Sequence, residues 1–305
     1  MDDISFESES PTASLEDVVG VVYGPSVTVS RRRPIGGGSI NKTEAVELSD
    51  RRTVFVKTNS SRHEGLFTEE ARGLRALTSD RGPRIPQPLA IVTSPSRQFL
   101  FLEHIEPGRQ TTEFYRDLGR TLAALHRHRR SDRCGFEGDN HIGSTPQLNG
   151  WDSDWFRFFG EKRLLFQLRL ARKQGYADAA MEKQVEIIIR RLPELLPPLD
   201  GAQPSLLHGD LWGGNVIVGP AGEPVLIDPA VYYGHREADI AMTELFGGFG
   251  GDFYRSYNEE WPLEPGFSRR KDVYNLYHLL NHLNLFGTSY LGSCRAILRS
   301  YSRTN

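Results

Sequence analysis

Around Glu106–Gly108 ("EPG") the sequence changes period, and that change limits the fold more than any other feature. Ahead of it, "SVTVSRRRPI", "TEAVELSD" and "RTVFVKTN" show two-residue alternation or β-branched enrichment and read as strands, with "LAIVTS" and "QFLFLEHI" as a second hairpin. Leu66, Phe67, Leu74 and Leu77 have helical spacing, stopped by "DRGPRIPQP", and Leu15 to Tyr23 reads as a short helix. Behind the break, "EFYRDLGRTLAALHRH", "DWFRFFGEKRLLFQLRLARKQG", "AAMEKQVEIIIRRLPELL" and "RRKDVYNLYHLLNHLNLFG" are long helical patterns. Only "NVIVG" and "PVLIDP", either side of the turn "PAGE", read as strands there. A strand-rich front on a helix-rich back predicts an α+β chain of two lobes. The expected layout is a disordered tail over 1–13, an N-terminal lobe over 14–103 with a five-stranded antiparallel sheet plus helix, a hinge over 104–108, and a larger, mainly helical C-terminal lobe over 109–305.

The 305 residues suffice for a large core, and a net charge of −2 with basic residues scattered among acids argues against a nucleic-acid partner. No apolar run reaches membrane length, and "MDDISFESESPTAS" is acidic and Ser-rich, unlike a signal peptide, so a cytoplasmic chain with no membrane partner is expected. Cys134 and Cys294 sit in no zinc or CxxC pattern and read as free thiols, with one disulfide left open. The nine histidines form no zinc pattern, and oligomeric state stays open.

The chemistry concentrates in "LLHGDLWGGNVIV" (Leu206 to Val218) followed by "VLIDPA". His208, Asp210 and Asn215 follow His-x-Asp-x-x-x-x-Asn, and Asp228 comes next on the rim of a small hairpin. Phosphoryl transfer needs such a set: Asp210 accepts or orients the acceptor's hydroxyl proton, while Asn215 and Asp228 supply hard oxygens to Mg²⁺ against the phosphates. A polar turn between two strands is the bland alternative. In the front, Lys57 ends the apolar strand "VFVK", where it needs phosphate oxygens and a carboxylate such as Glu70, or else snorkels to solvent. "GGGSIN", with Gly36, Gly37, Gly38 and Ser39, is a candidate turn over ATP phosphates, though three glycines also make an ordinary flexible hairpin. The Glu103 carbonyl and Ile105 amide in "FLFLEHIEPG" could read an adenine edge, and a buried strand running into a linker would be spelled the same way. On this reading 14–103 is the nucleotide-binding lobe and 109–305 the catalytic and substrate-binding one.

"HGDLWGGN", with Trp212 after the leucine, resembles the fructosamine kinase (ketosamine-3-kinase) family, an aminoglycoside-phosphotransferase-like branch of the protein-kinase-like fold. "DNHIGSTPQLNGW", "IDPAVYYGHREADIAM" and "LYHLLNHLNLFG" are similar to it too, so the likeness spans nearly the whole chain after the tail. The resemblance implies ATP- and Mg²⁺-dependent phosphorylation of the 3-hydroxyl of a fructosamine, ribulosamine or erythrulosamine, free or protein-bound, leading to deglycation. It gives Asp210 the proton-accepting role, Asn215 and Asp228 the metal, and Lys57 with Glu70 the phosphates. Ser39 stands where many relatives carry a cysteine, so no thiol switch is expected in that loop. An aminoglycoside- or choline-kinase-like activity, or a nucleotide-binding pseudokinase, are the alternatives.

Trp212 could stack on the acceptor or pack internally. In the last long helix, Leu276, Leu279, Leu283 and Phe286 form an apolar stripe, opposite Tyr274, His278 and Asn281, with His282 beside them. Asn281 and His282 could line an acceptor pocket or an internal network. His235, Arg236, Glu237 and Asp239 read as a salt-bridge network holding the metal loop; Trp151, Trp155 and Phe156 as core; and His126 and His128 as a solvated helix end.

Overall fold

The computed structural model describes residues 5–7, 13–36, 41–60, 65–199 and 203–302. In the front part β1 (Ser5–Glu7), α1 (Leu15–Tyr23), β2 (Val29–Pro34), β3 (Lys42–Leu48), β4 (Thr53–Ser60), α2 (Leu66–Leu77), β5 (Pro88–Thr93) and β6 (Arg97–Glu103) follow in order. Ser14 and Asp17 start α1 with a reciprocal capping box. The strands make one six-stranded sheet in the order β1-β5-β6-β4-β3-β2.

Alternation along the strands sorts side chains between two layers. Ala90, Val92, Phe99 and Phe101 pack with Val18 and Val19 of α1, whereas Ile91, Leu100 and Leu102 pack with Phe67, Leu74 and Leu77 of α2. The expected five-stranded antiparallel sheet is corrected in one respect. β1 adds a sixth strand parallel to β5, with Ser5 opposite Ile91, so the sheet is mixed. That strand comes from within the segment expected to be a tail, and it covers the backbone edge β5 would otherwise leave open. At the opposite margin, Arg31, Arg32 and Arg33 occupy the exposed strand β2.

The back part contains α3 (Phe114–His128), a β7 (Asn140–Ile142) and β8 (Thr145–Gln147) hairpin, α4 (Trp155–Phe158), a π-helical stretch at Phe159–Leu165, α5 (Phe166–Lys173) and α6 (Ala179–Leu195). There follow β9 (Ser205–Leu207), β10 (Val216–Val218), β11 (Pro224–Leu226), β12 (Tyr232–Gly234), α7 (Glu237–Leu245), α8 (Gly251–Glu260), α9 (Phe267–Phe286) and α10 (Leu291–Tyr301). The cluster under α2 runs on without a break into Leu118, Leu122, Leu206, Leu211 and Val231, so one apolar core joins the two parts. Cys134 and Cys294 are buried free thiols.

Two readings of helix faces are corrected. His126 is fully buried at the end of α3, while His128 is exposed. The α9 stripe does not separate core from water: Tyr274, His278 and Asn281 are as buried as Leu276 and Leu283, and Phe286 is 53% exposed. A helix enclosed on every side carries polar residues in its interior contacts, and a two-sided pattern then misassigns faces. Trp155 is core, with Trp151 and Phe156 half-buried.

The link between the parts is clamped at Gly108, whose N–H donates to the Val218 carbonyl at 3.1 Å. A Cβ there would lie 1.8 Å from the Gly219 carbonyl oxygen. Gly108→Ala is therefore expected to lower stability by on the order of 2 kcal/mol or more, because backbone on both sides must move. Urea midpoints of the two forms check this, and equal midpoints would show that the link is not clamped.

Candidate active site

Three separate elements deliver the charged groups. Lys57 sits on β4, opposite Leu100 of β6, and its side chain is almost wholly buried. Glu70 of α2 accepts from Lys57 Nζ at 2.6 Å, and Asp228, after β11, makes a second short ion pair with the same ammonium. Burial alone would pull the Lys57 pKa down, but the two carboxylates outweigh it and hold it above the ordinary lysine value. Burial, with Asp228 adding to it, pushes Glu70 up against the opposing pull of Lys57. Asp228 has φ +55°, in the left-handed region that non-glycine residues seldom occupy. Gly73 lets α2 lie close over this loop, since a Cβ there would be 3.3 Å from Val231.

The His208–Asn215 loop is held from beneath. Asp239 of α7 accepts from the backbone N–H groups of His208 at 2.7 Å and Gly209 at 2.9 Å, and its carboxylate also meets His126 at 3.2 Å. His208 Nε2 donates to the Ile227 carbonyl at 2.9 Å, which leaves Nδ1 to accept from the Asp210 N–H. Burial lowers the His208 pKa, in keeping with this neutral tautomer. Gly209 has φ +80°, and a Cβ on it would sit 1.9 Å from the Ala230 carbonyl oxygen. Asn215 Nδ2 donates to the Asp210 carbonyl at 2.8 Å and to its carboxylate at 3.1 Å.

Asp210 keeps an edge open to the cleft, yet protein encloses most of its carboxyl. Burial raises its pKa to about 7, opposed by the Asn215 hydrogen bond and aided by Asp228 and Asp239. A proton acceptor poised near neutrality is what general base chemistry favours.

Two cavities meet over these groups. One, of about 870 Å³, runs under the sheet past Gly36, Lys57, Glu103, Ile105 and Asp228. The other, of about 370 Å³, is bounded by His141, Asp210, Trp212, Asn281, His282 and Phe286. Lys57, Glu70, Trp212, Asn215 and Asp228 border both. Gly37, Gly38 and Ser39 lie outside the described residues. Asn281 accepts from Gln167 at 3.2 Å and His282 Nδ1 bonds the His278 carbonyl, so each borders the cavity while belonging to a hydrogen-bonded network.

A model of the fructosamine kinase family matches residues 12–304. The chain belongs to this family. A probable ketoamine kinase of Synechocystis sp. is 39% identical over 298 residues, covering 97% of this chain and 98% of the relative. The chloroplastic protein-ribulosamine 3-kinase of Oryza sativa subsp. japonica is 42% identical over 284 residues, covering 92% and 81%. A crystal structure from Thermobifida fusca assigned as a fructosamine-3-kinase superposes with TM-score 0.81 at 33% identity, covering 94% of this chain and 99% of that one. An aminoglycoside phosphotransferase, APH(4)-Ia, shares the kinase-like fold at 17% identity and TM-score 0.61. As a fructosamine kinase family member, the chain is an ATP-dependent phosphotransferase.

Several residues of this family site escape sequence reasoning. His141 Nδ1 meets Glu69 at 2.7 Å and so ties β7 to α2; the stretch "DNHIG" is conspicuous, but nothing in it names Glu69 as partner. The "GHREAD" network divides its labour: Asp239 holds the His208–Gly209 backbone, Glu237 forms a buried pair with Arg270, and Arg236 stacks on Trp261. Asp239→Ala would strand two buried N–H donors, so a stability loss on the order of 3 kcal/mol is expected. Denaturant unfolding measures it, and a loss below 1 kcal/mol would remove Asp239 as the loop's anchor.

Proposed function

We propose that this chain transfers the terminal phosphoryl group of ATP to the 3-hydroxyl of a ketosamine, whose sugar is fructose, ribulose or erythrulose, as a step in deglycation. The observation that carries this reading is the position of Asn215, Lys57 and Asp228 where the two cavities join, with Asp210 beside them on the smaller one. ATP would occupy the larger cavity, with its base at the Glu103 carbonyl and Ile105 amide and its phosphates at Lys57, on the side that Gly36 borders. Glu70 keeps the Lys57 ammonium aimed at those phosphates. The ketosamine would enter the smaller cavity. Asp210 orients its hydroxyl and takes the proton as the new O–P bond forms, the bridging O–P bond breaks, and ADP departs.

The donor set suits Mg²⁺. The Asn215 amide nitrogen is committed to Asp210, which leaves its oxygen as the ligand atom, and Asp228 offers the carboxylate oxygen that does not face Lys57. Among the described residues no cluster of three or more His, Cys, Asp or Glu side chains could hold a metal, in line with an ion that takes most of its ligands from water and phosphate. Mg²⁺ would neutralise charge on the transferring phosphoryl group.

The mouth of the smaller cavity favours a ketosamine over a polycationic acceptor. Trp212, Phe246 and Phe286 are 40%, 40% and 53% exposed, three of the five exposed large hydrophobic residues among those described. Phe246 lies 6.3 Å from Trp212 and 4.7 Å from His282, which is 5.4 Å from Phe286, so they form one aromatic wall. Burial lowers the His282 pKa, which disfavours a charge on this ring. Such a wall fits the hydrocarbon arm of an amine, and of the carboxylates on this cavity Glu70 and Asp228 are taken up by Lys57 and Glu69 by His141, which leaves few for a polycationic acceptor.

Two experiments test the reading. Asp210→Asn should lower kcat by about 10³-fold or more while ATP affinity changes less than threefold; turnover near that of the parent would remove Asp210 from the chemistry. Phe246→Ala with Phe286→Ala should raise KM for a ketosamine on the lysine side chain by on the order of tenfold, leaving kcat and the ATP KM little changed. An unaltered ketosamine KM would place the amine elsewhere.

A further inference from the structure

α2 has a second working face. Arg72 and Arg75 project about 200° and 140° around the helix from Glu70, away from the Lys57 pair. There they border a groove of about 1100 Å³ between the two parts of the molecule. The back part contributes Arg129 and Arg130 just after α3, with Trp151 and Tyr233 as an aromatic wall whose rings are 6.0 Å apart. Four arginines thus line the groove against one carboxylate residue, Glu137.

None of these four arginines forms an ion pair among the described residues. The side chains of Arg72 and Arg75 are exposed and make no hydrogen bond or ion pair among the described residues. Arg129 donates one bond, to the Thr78 carbonyl, and its Nε is buried without a hydrogen-bond partner; Arg130 stacks on Trp261 with 4.9 Å between guanidinium and ring, and its Nε too is buried without a hydrogen bond. Like charges converging from two lobes repel, and a counter-anion in the groove would relieve that repulsion. Guanidinium forks match phosphoryl oxygens in pairs, and the groove has the size of a small-molecule site.

We propose that this groove is a binding site for a small anion bearing two phosphoryl groups, with Arg72 and Arg75 gripping one end and Arg129, backed by the charge of Arg130, the other. A ligand held by both pairs bridges α2 to the back part. Because α2 also carries Glu70, occupancy would steady the Lys57–Glu70 pair from behind, and any effect on nucleotide affinity would be reciprocal.

Inorganic pyrophosphate, titrated calorimetrically into the full chain in metal-free buffer, tests the site. The expected result is saturable one-to-one binding that is at least tenfold weaker in Arg72→Ala/Arg75→Ala and unchanged in Arg31→Ala, a control on the exposed strand β2. ADP affinity, measured separately with Mg²⁺, should be kept within threefold in the double variant, which shows that the fold and the nucleotide cleft are intact. Pyrophosphate should also slow hydrogen exchange across α2 in the parent and not in the double variant. Absence of binding by the parent, or equal affinity in the double variant, would overturn the proposal, since binding in the cleft alone ignores Arg72 and Arg75.

Discussion

A buried ammonium with two carboxylates organises this molecule. Lys57 sits where a lone charge would cost several kcal/mol, so its strand position is tenable only if Glu70 and Asp228 arrive from α2 and from the loop after β11. That requirement ties the sheet, the helix and the hairpin loop into one arrangement. The close approach permitted by Gly73 and the shared core through Leu118 and Val231 supply the packing that holds the three at contact distance. Nucleotide phosphates would meet a lysine already charged and aimed, with little reorganisation left for the moment of reaction.

The second organising group is Asp239. Its two oxygens take the backbone N–H groups of His208 and Gly209, and the left-handed Gly209 lets the chain turn tightly beneath Ala230. Asp210 is thereby fixed by backbone geometry, while Asn215 holds its carboxylate. Its raised pKa follows from the same enclosure that fixes its position. Rigid support and an adjusted proton affinity have one structural origin here.

Much of this was legible in the sequence because each motif is short and local. "VFVK", "HGDLWGGN" and "VLIDP" mark Lys57, Asp210, Asn215 and Asp228 by strand ends and turn residues, and the structure brings these with Glu70 around one junction. What stayed hidden depends on distance or on enclosure. The pairing of His126 with Asp239 crosses 113 positions, and His126 stands directly before the basic string "RHRR", which reads as solvated. β1, β9 and β12 have three residues each, too few for a period to show. α9 misleads because protein surrounds it, so polar and apolar residues are buried alike. The aromatic wall joins Trp212, the end of α7 and the end of α9, which only the fold brings together.

The sheet's two margins are finished in different ways. β1 seals one by pairing with β5, and the other, β2, is left in water with Arg31, Arg32, Arg33 and Pro34 along it. A second chain seeking to extend the sheet would have to bring its own strand against a row of like charges and an imide nitrogen that cannot donate. Molecules crowded together during synthesis are thus discouraged from zipping edge to edge, and the strand-rich part is guarded against fibre-like association by the residues at its rim.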